Sequence, residues 1–180
     1  MRMPLMSISM GLLVLAIGDP RAQAKYLSVP LYSQEGYYWC WAASDQMVLA
    51  YYSNYFTQCK LVDNQLHSGC CPSTPGGSCD VPGDSHIQSY FSNAQKVGGP
   101  LEFGKIMQEI NANRPIIYSK DWTNGGHLMV ATGYKLSSTG IRYVMRNNSI
   151  GPSSTLIRYE EYRGGSGCGF TNNTNYINIF

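Results

Sequence analysis

The sequence predicts an α+β protein in which helices come first and strands follow. Between residues 41 and 56 apolar side chains recur with roughly helical spacing, and the segment contains no glycine or proline. After Arg114 the pattern changes to short segments in which apolar and polar residues alternate, as they do in half-buried strands. Two unlike halves of this kind predict two lobes with a cleft between them.

The first half of the chain contains one predicted strand, several helices and a loop. Residues 25–33 alternate around Pro30, which indicates an extended strand at the edge of a sheet. The segment 68–83 holds seven glycines and prolines together with three cysteines, so we interpret it as a loop held by disulfides. Helices are predicted at residues 41–56, 58–66, 85–93 and 101–113.

The second half is predicted to be a sheet built around a hairpin. A strand at 127–134 and a strand at 141–146 are separated by the turn residues 137–140. Further strands are predicted at 116–118, 154–159 and 174–180. The short connection within the hairpin makes its two strands antiparallel.

Length and charge limit the class of protein. A chain of 180 residues with a net charge of +2 is expected to form one domain, or two lobes that share one core. Charged residues are few and no basic run occurs, which argues against nucleic acid as a partner. The cysteine and histidine spacings match no zinc site, so we expect no metal and no cofactor. We also expect a monomer.

The N-terminus has the features of a signal peptide. Arg2 precedes the apolar run 5–18, and Ala22-Gln23-Ala24 has the A-x-A form that signal peptidase cleaves. Cleavage there would separate a signal peptide, 1–24, from a mature domain, 25–180. The apolar run is shorter than the roughly 20 residues that span a bilayer. We therefore expect a secreted protein, extracellular or periplasmic, with no membrane span once the signal is removed.

Cysteine pairing depends on the role of Cys40. If Cys40 is a free nucleophile, five cysteines remain, which allows at most two disulfides and one further free thiol. The adjacent cysteines 70–71 should have different partners, for which Cys59 and Cys79 are the nearest candidates. Cys168 is then the expected leftover, although the sequence leaves the connectivity open.

Cys40 is the candidate nucleophile. It immediately precedes the predicted helix 41–56, so it should lie in the first turn of that helix. Unpaired backbone N–H groups and the positive end of the helix dipole favour a thiolate there, and the thiolate is the reactive form. Gln34 lies six residues earlier. Its side-chain amide could donate to a developing oxyanion beside the N–H of Cys40.

His127 is the candidate base. It begins a predicted strand directly after two glycines, whose missing side chains leave room for an imidazole to face a cleft. The partner strand of the hairpin leads into Asn147 and Asn148. An amide carbonyl there could accept a hydrogen bond from the far ring nitrogen and so orient the ring. Asp121 is a weaker candidate for this role because it lies outside the partner strand.

Three segments, in this order, resemble the active-site segments of papain-like cysteine peptidases, and the size is similar to that of compact secreted bacterial members. The matching motifs are Gln34-x5-Cys40-Trp41-Ala42-x-Ser44, the run from Gly126 to Tyr134, and Tyr143-x4-Asn148-Ser149-x-Gly151. The resemblance implies that Cys40 is the nucleophile and His127 the base. It likewise implies that Asn148 orients the ring and that Gln34 donates to the oxyanion. The Asn-Ser-x-Gly register favours Asn148 over Asn147.

The same resemblance implies a fold and an activity. A helical lobe, 25–114, and a lobe made of an antiparallel sheet or barrel, 115–180, would hold the active site in the cleft between them. The enzyme would be a secreted endopeptidase acting on protein or peptide substrates. It would form a thioester at Cys40, with the thiolate paired to the imidazolium of His127.

The chain departs from the family pattern in several places, two of which concern the surroundings of the site. Tyr38 and Trp39 replace a small Gly-Ser pair, which predicts extra bulk beside Cys40. Ile150 replaces the tryptophan that in this family follows Asn-Ser. Shielding of the histidine–asparagine hydrogen bond would then come from elsewhere, with Trp122 as a candidate.

Two alternative functions stay open at this level. Papain-like scaffolds also support amidase, deamidase and transglutaminase chemistry, and the fold does not decide among these reactions. A non-catalytic secreted binding domain is also compatible with the sequence if Cys40 forms a third disulfide with Cys168. The number of free thiols separates this last interpretation from the enzymatic ones.

Overall fold

A computed structural model describes residues 22–67, 69–71, 77–165 and 167–180. Of the predicted signal peptide, 1–24, only the last three residues fall within these ranges, so the cleavage site stays a prediction. Across the described ranges, no helix combines the length and the apolar character needed to cross a bilayer.

The described part of the chain contains four α-helices. They are α1 (Cys40–Tyr51), α2 (Gln58–Leu66), α3 (Phe103–Asn111) and α4 (Tyr159–Arg163). The predicted bounds of α2 are confirmed. At its start the Thr57 hydroxyl accepts a hydrogen bond from the Lys60 N–H, and at its end His67 adopts the left-handed conformation.

Of the three other helix predictions, two were too long and one was wrong. α1 ends at Tyr51 instead of residue 56, because Ser53 takes a left-handed φ of 62° and turns the chain. α3 is shorter than predicted at both ends. The predicted helix 85–93 is wrong, since only a short 3-10 turn, Ile87–Ser89, forms there.

Nine strands form one open, antiparallel sheet within the described residues. They are β1 (Gln23–Tyr26), β2 (Gln95–Gly98), β3 (Ile116–Trp122), β4 (Gly125–Leu136), β5 (Arg142–Asn148), β6 (Ser153–Arg158), β7 (Gly164–Gly165), β8 (Phe170–Thr171) and β9 (Thr174–Ile177). The main order is β2-β9-β3-β4-β5-β6, with β1 beside β4 and the pair β7–β8 beside β3. The barrel considered as an alternative to a sheet does not form.

The predicted hairpin is confirmed, and the predicted first strand is not. β4 pairs with β5 in the expected antiparallel arrangement, with Tyr134 opposite Val144. The strand expected at 25–33 ends at Tyr26, because the chain leaves the sheet after the Leu27 N–H donates to the Thr132 carbonyl. β2 was missed, since its four residues show no alternation of apolar and polar side chains.

The sheet lies between two hydrophobic clusters. Alternate side chains of β4 enter opposite clusters: Leu128 and Val130 pack with α1 and α2, whereas Met129 and Ala131 pack with α3 and α4. β1 and β2 come from the first half of the chain and pair with β4 and β9. The sheet therefore takes strands from both halves, and the division into lobes 25–114 and 115–180 stays a prediction.

Two disulfides hold the loop that follows α2. The bonds are Cys59–Cys71 and Cys70–Cys79. The adjacent cysteines thus have different partners, as predicted, and Cys40 and Cys168 are free thiols. The alternative with a Cys40–Cys168 disulfide is therefore wrong.

A buried carboxylate links α1 to the loop before the Ile87–Ser89 turn. Asp45 is 1% exposed. Its Oδ1 accepts a hydrogen bond from the Ser85 hydroxyl at 2.5 Å, and its Oδ2 accepts one from the His86 N–H at 2.8 Å. Burial raises the pKa of Asp45 to about 7, although the two hydrogen bonds oppose this shift.

We expect Asp45→Asn to change how stability depends on pH. An unfolded aspartate titrates near pH 4, so between about pH 4 and pH 7 the folded state keeps a proton that the unfolded state has lost. Stability therefore falls as the pH rises through this range, and the variant lacks this titration. Its free energy of unfolding relative to wild type should rise by about 2–3 kcal/mol from pH 5 to pH 8 in urea denaturation. Parallel pH curves for the two proteins would contradict this.

Candidate active site

A cleft of about 970 Å³ opens between the start of α1, the segment before it and the sheet. Gln34 and Cys40 line it from the helix side, and His127 lines it from β4. Asn148 contacts His127 from the end of β5. The structure thus brings the four predicted site residues to one place.

Cys40 is the first residue of α1, as its sequence position predicted, and it is half-buried. Burial raises the pKa of the thiol. The backbone N–H groups of Leu128, Trp41 and Cys40 itself stabilise the thiolate and so lower the pKa, but by less than burial raises it. Because Leu128 directly follows His127 in β4, its contact places the sulfur beside the histidine strand.

His127 is 8% exposed, and its ring is held by Asn148. The imidazole Nε2 lies 2.7 Å from the Asn148 Oδ1. The same oxygen accepts a second hydrogen bond from the Ile150 N–H at 3.1 Å. Burial lowers the pKa of His127, whereas the hydrogen bond to Asn148 raises it. Since an amide oxygen only accepts, Nε2 carries the hydrogen in this arrangement.

Asn147 faces away from the histidine, which separates the two candidates for the orienting role. Its amide nitrogen donates to the Val29 carbonyl at 3.1 Å, and its Oδ1 accepts from the Ser154 hydroxyl at 2.5 Å. It is 2% exposed. Successive residues of a strand point to opposite faces, so only one of the two asparagines can reach the imidazole.

Gln34 lies in the cleft wall, but its amide is already engaged. The amide nitrogen donates to the carbonyls of Gly36 at 3.0 Å and Tyr37 at 2.7 Å. Its Oε1 accepts from the Ser149 hydroxyl at 3.1 Å. Both amide hydrogens are therefore used within the segment that precedes Cys40. Donation to an oxyanion would require Gln34 to release one of these carbonyls.

Asp121, the weaker candidate for the orienting role, does not bind the histidine. Its Oδ2 accepts a hydrogen bond from the Ser119 hydroxyl at 2.6 Å. In β3 it lies opposite Gly126, one position before His127. It lines the cleft instead of supporting the imidazole.

The cleft has a largely apolar rim. Tyr37 (79% exposed), Tyr38 (45%), Trp122 (49%) and Ile150 (56%) all line it. Trp39 does not contribute, although its position predicted bulk beside the nucleophile. Its indole is buried and donates to the Cys79 carbonyl at 2.9 Å.

The disulfide-held loop supports the segment that precedes Cys40, and sequence reasoning missed this. The Asp80 carboxylate accepts hydrogen bonds from the backbone N–H groups of Tyr37 at 3.0 Å and Tyr38 at 2.8 Å. Asp80 directly follows Cys79, whose disulfide to Cys70 fixes this end of the loop. The only signal in the sequence is the density of cysteines and glycines near Asp80, which indicates a rigid loop but not its contacts.

Three solved structures resemble the fold of this chain. A double glycine motif protease from an AMS/PCAT transporter, solved with the leader peptide, has a TM-score of 0.51 at 19% identity, over 85% of this chain and 92% of that chain. Bromelain from Ananas comosus has a TM-score of 0.53 at 14% identity, over 89% of this chain and 100% of that chain. The proform of Amb a 11, a ragweed pollen cysteine protease, has a TM-score of 0.51 at 16% identity, over 94% of this chain and 67% of that chain. These likenesses show a papain-like α+β fold.

A family model agrees with the fold. The model of the Peptidase_C39 like family matches residues 26–174, which is most of the chain. No curated protein matches the sequence. The chain therefore belongs to the Peptidase_C39 like family and is a cysteine-type peptidase with a papain-like fold.

Proposed function

We propose that the protein is a secreted endopeptidase in which Cys40 is the nucleophile, His127 the acid–base and Asn148 the residue that orients the ring. The observation that carries the proposal is the 2.7 Å contact between His127 Nε2 and Asn148 Oδ1 in a cleft that Cys40 also lines. With its hydrogen on Nε2, the ring has Nδ1 available to exchange a proton with the Cys40 thiol.

The reaction would proceed in two acyl-transfer steps. Proton transfer from Cys40 to Nδ1 creates the thiolate, which attacks the peptide carbonyl and forms a C–S bond. Imidazolium then protonates the leaving amine as the C–N bond breaks. Water, deprotonated by His127, hydrolyses the thioester and restores the thiol. The backbone N–H of Cys40 and a reoriented Gln34 amide would donate to the oxyanion in both steps.

Burial sets the resting state of the pair. It raises the pKa of Cys40 and lowers that of His127, so each group taken alone is pushed towards its neutral form. The N–H groups at the start of α1 and of Leu128 oppose this by stabilising a thiolate. Mutual attraction of thiolate and imidazolium would complete the ion pair that catalysis needs.

Peptides are the proposed substrates and the secretory pathway the proposed route. The double glycine motif protease was solved with a leader peptide bound, and both neighbours from plants are proteases. Two disulfides support an oxidising compartment, in line with the predicted signal peptide. The expected monomer stays a prediction.

Alkylation by a peptidyl epoxide tests the proposal directly. Intact mass and peptide mapping of the oxidised protein should show one adduct, at Cys40, whose formation slows in His127→Ala. Cys168 is the other free thiol and provides an internal control. Equal labelling of both thiols, or labelling at Cys168 alone, would contradict an activated Cys40.

An ion-pair network next to the histidine should tune the pH profile. Glu161 Oε1 accepts from Lys120 Nζ at 3.1 Å and from Arg146 Nη1 at 3.0 Å. Lys120 lies opposite His127 in the sheet, and both cations lower the pKa of His127. Removing the carboxylate in Glu161→Gln should lower that pKa further, and removing a cation in Lys120→Met should raise it.

The two variants should therefore move the bell-shaped profile of kcat/KM in opposite directions. We expect a shift of roughly 0.3–1 pH unit, to lower pH in Glu161→Gln and to higher pH in Lys120→Met. Glu160→Gln is the matched control, because Glu160 is the neighbouring residue of α4 and pairs with Arg142 instead. Shifts in the same direction, or an equal shift in the control, would contradict an electrostatic role.

A further inference from the structure

The cleft is acidic, whereas the whole chain has a net charge of +2. Among the described residues that line it, Glu35, Asp84 and Asp121 carry carboxylates, and none is a lysine or an arginine. Charges of one sign in a cleft reinforce each other, because the low-dielectric walls focus their field. The cleft should therefore attract cationic groups and disfavour anionic ones.

Asp121 holds its carboxylate in a fixed position beside the base. The Ser119 hydroxyl donates to Oδ2 at 2.6 Å. Oδ1 lies above Gly126, the residue directly before His127, at a point where an added Cβ would come within 2.5 Å of it. No donor to Oδ1 is found in the part of the chain that the structure describes, which leaves this oxygen for a ligand. A glycine at position 126 is thus what allows the carboxylate to lie against the residue that precedes His127.

The two other carboxylates have different surroundings. Asp84 forms an ion pair with Lys96, so its charge is largely compensated. Glu35 is held at its backbone, where its N–H donates to Gln58 Oε1 at 2.8 Å, and its side chain is exposed. Asp121 is therefore the uncompensated, positioned anion of the cleft, and Glu35 adds negative charge at its mouth.

The aromatic part of the rim provides the second half of a binding site. Tyr37, Tyr38 and Trp122 line the same cleft and are exposed. A lysine or arginine side chain combines an apolar stem with a cationic head, and the stem packs on aromatic rings while the head interacts with ring faces or carboxylates. An aromatic rim around a fixed carboxylate fits such a side chain better than it fits an acidic one.

We propose that the enzyme prefers peptides with arginine or lysine next to the scissile bond, and that Asp121 is the residue that binds the cationic side chain. This inference rests on the proposed peptidase function, to which it adds a substrate class. Asp121 and Cys40 line the same cleft, and the Asp121 Oδ1 lies against Gly126, directly before His127, so one bound peptide can contact both residues.

The test compares kcat/KM for matched fluorogenic peptides that carry arginine, lysine, norleucine or glutamate beside the cleaved bond. Wild type should prefer the basic peptides over the norleucine peptide by about 10- to 100-fold, the range expected for a charge-assisted hydrogen bond. Asp121→Asn should remove most of this preference, so that kcat/KM for the arginine peptide falls to within about threefold of that for the norleucine peptide. Glu102→Gln, which removes an exposed carboxylate outside the cleft, should leave all ratios unchanged.

The outcomes separate this inference from the function on which it rests. Equal cleavage of the arginine and norleucine peptides, or a preference that survives Asp121→Asn, would overturn the inference and leave the peptidase intact. No cleavage of any peptide, together with no epoxide adduct at Cys40, would overturn the function itself. Should Asp121→Asn fail to fold, the salt dependence of the wild-type enzyme provides the test. The ratio of kcat/KM for the arginine peptide to that for the norleucine peptide should fall between about 50 mM and 500 mM NaCl. A preference independent of salt would overturn the inference.

Discussion

Replacing Cys40 with alanine should lower kcat/KM for peptide hydrolysis by about 10⁴-fold or more, because the proposed thioester forms at this residue. The fold should tolerate the change, since alanine is a good helix former and the half-buried thiol is small. Turnover of a fluorogenic peptide and the melting temperature, measured on the same preparation, separate the loss of chemistry from the loss of structure.

The matched control is the other free cysteine. Cys168 is exposed and lies outside the cleft, so Cys168→Ala should keep kcat/KM within about twofold of wild type. Activity that survives in Cys40→Ala, or that disappears in Cys168→Ala, would assign the nucleophile to the wrong residue. A lower melting temperature in Cys40→Ala than in wild type would instead indicate a structural role for this thiol.

The sequence predicted correctly those elements whose start or end is marked by residues close by in the chain. The bounds of α2 were correct because Thr57 caps its start and its end lies just before a residue in the left-handed conformation. Cys40 was placed at a helix start for a similar reason, since apolar periodicity begins directly after it. The end of α1 was not predictable, because no glycine or proline marks Ser53, whose left-handed φ turns the chain.

Non-local contacts account for the errors around the site. The amide of Gln34 is oriented by the carbonyls of Gly36 and Tyr37 and by the Ser149 hydroxyl, which comes from the segment that directly follows β5. A sequence motif identifies a glutamine at this position but does not include the directions of its partners. The support that Asp80 gives to the nucleophile segment is hidden for the same reason, since it connects residues more than 40 positions apart.

The pair Asn148→Ala and Asn147→Ala should separate catalysis from stability in adjacent residues. Asn148 contacts the imidazole of His127, and in its proposed role as the residue that orients the ring its loss should lower kcat by roughly 10²-fold, the lower end of what general acid–base catalysis contributes. Its contribution to folding should be small, about 1 kcal/mol, because it is only half-buried. Steady-state kinetics and urea denaturation of the same variant measure the two quantities.

Asn147→Ala should show the opposite balance. This side chain is buried and its loss leaves the Val29 carbonyl and the Ser154 hydroxyl without their partner, which should cost about 2–4 kcal/mol of unfolding free energy. The folded fraction should keep kcat within a few-fold of wild type, since Asn147 does not reach His127. A larger kcat effect at Asn147 than at Asn148 would mean that β5 holds the histidine in the other register. A strand alternates its faces, so both residues cannot support the ring at once.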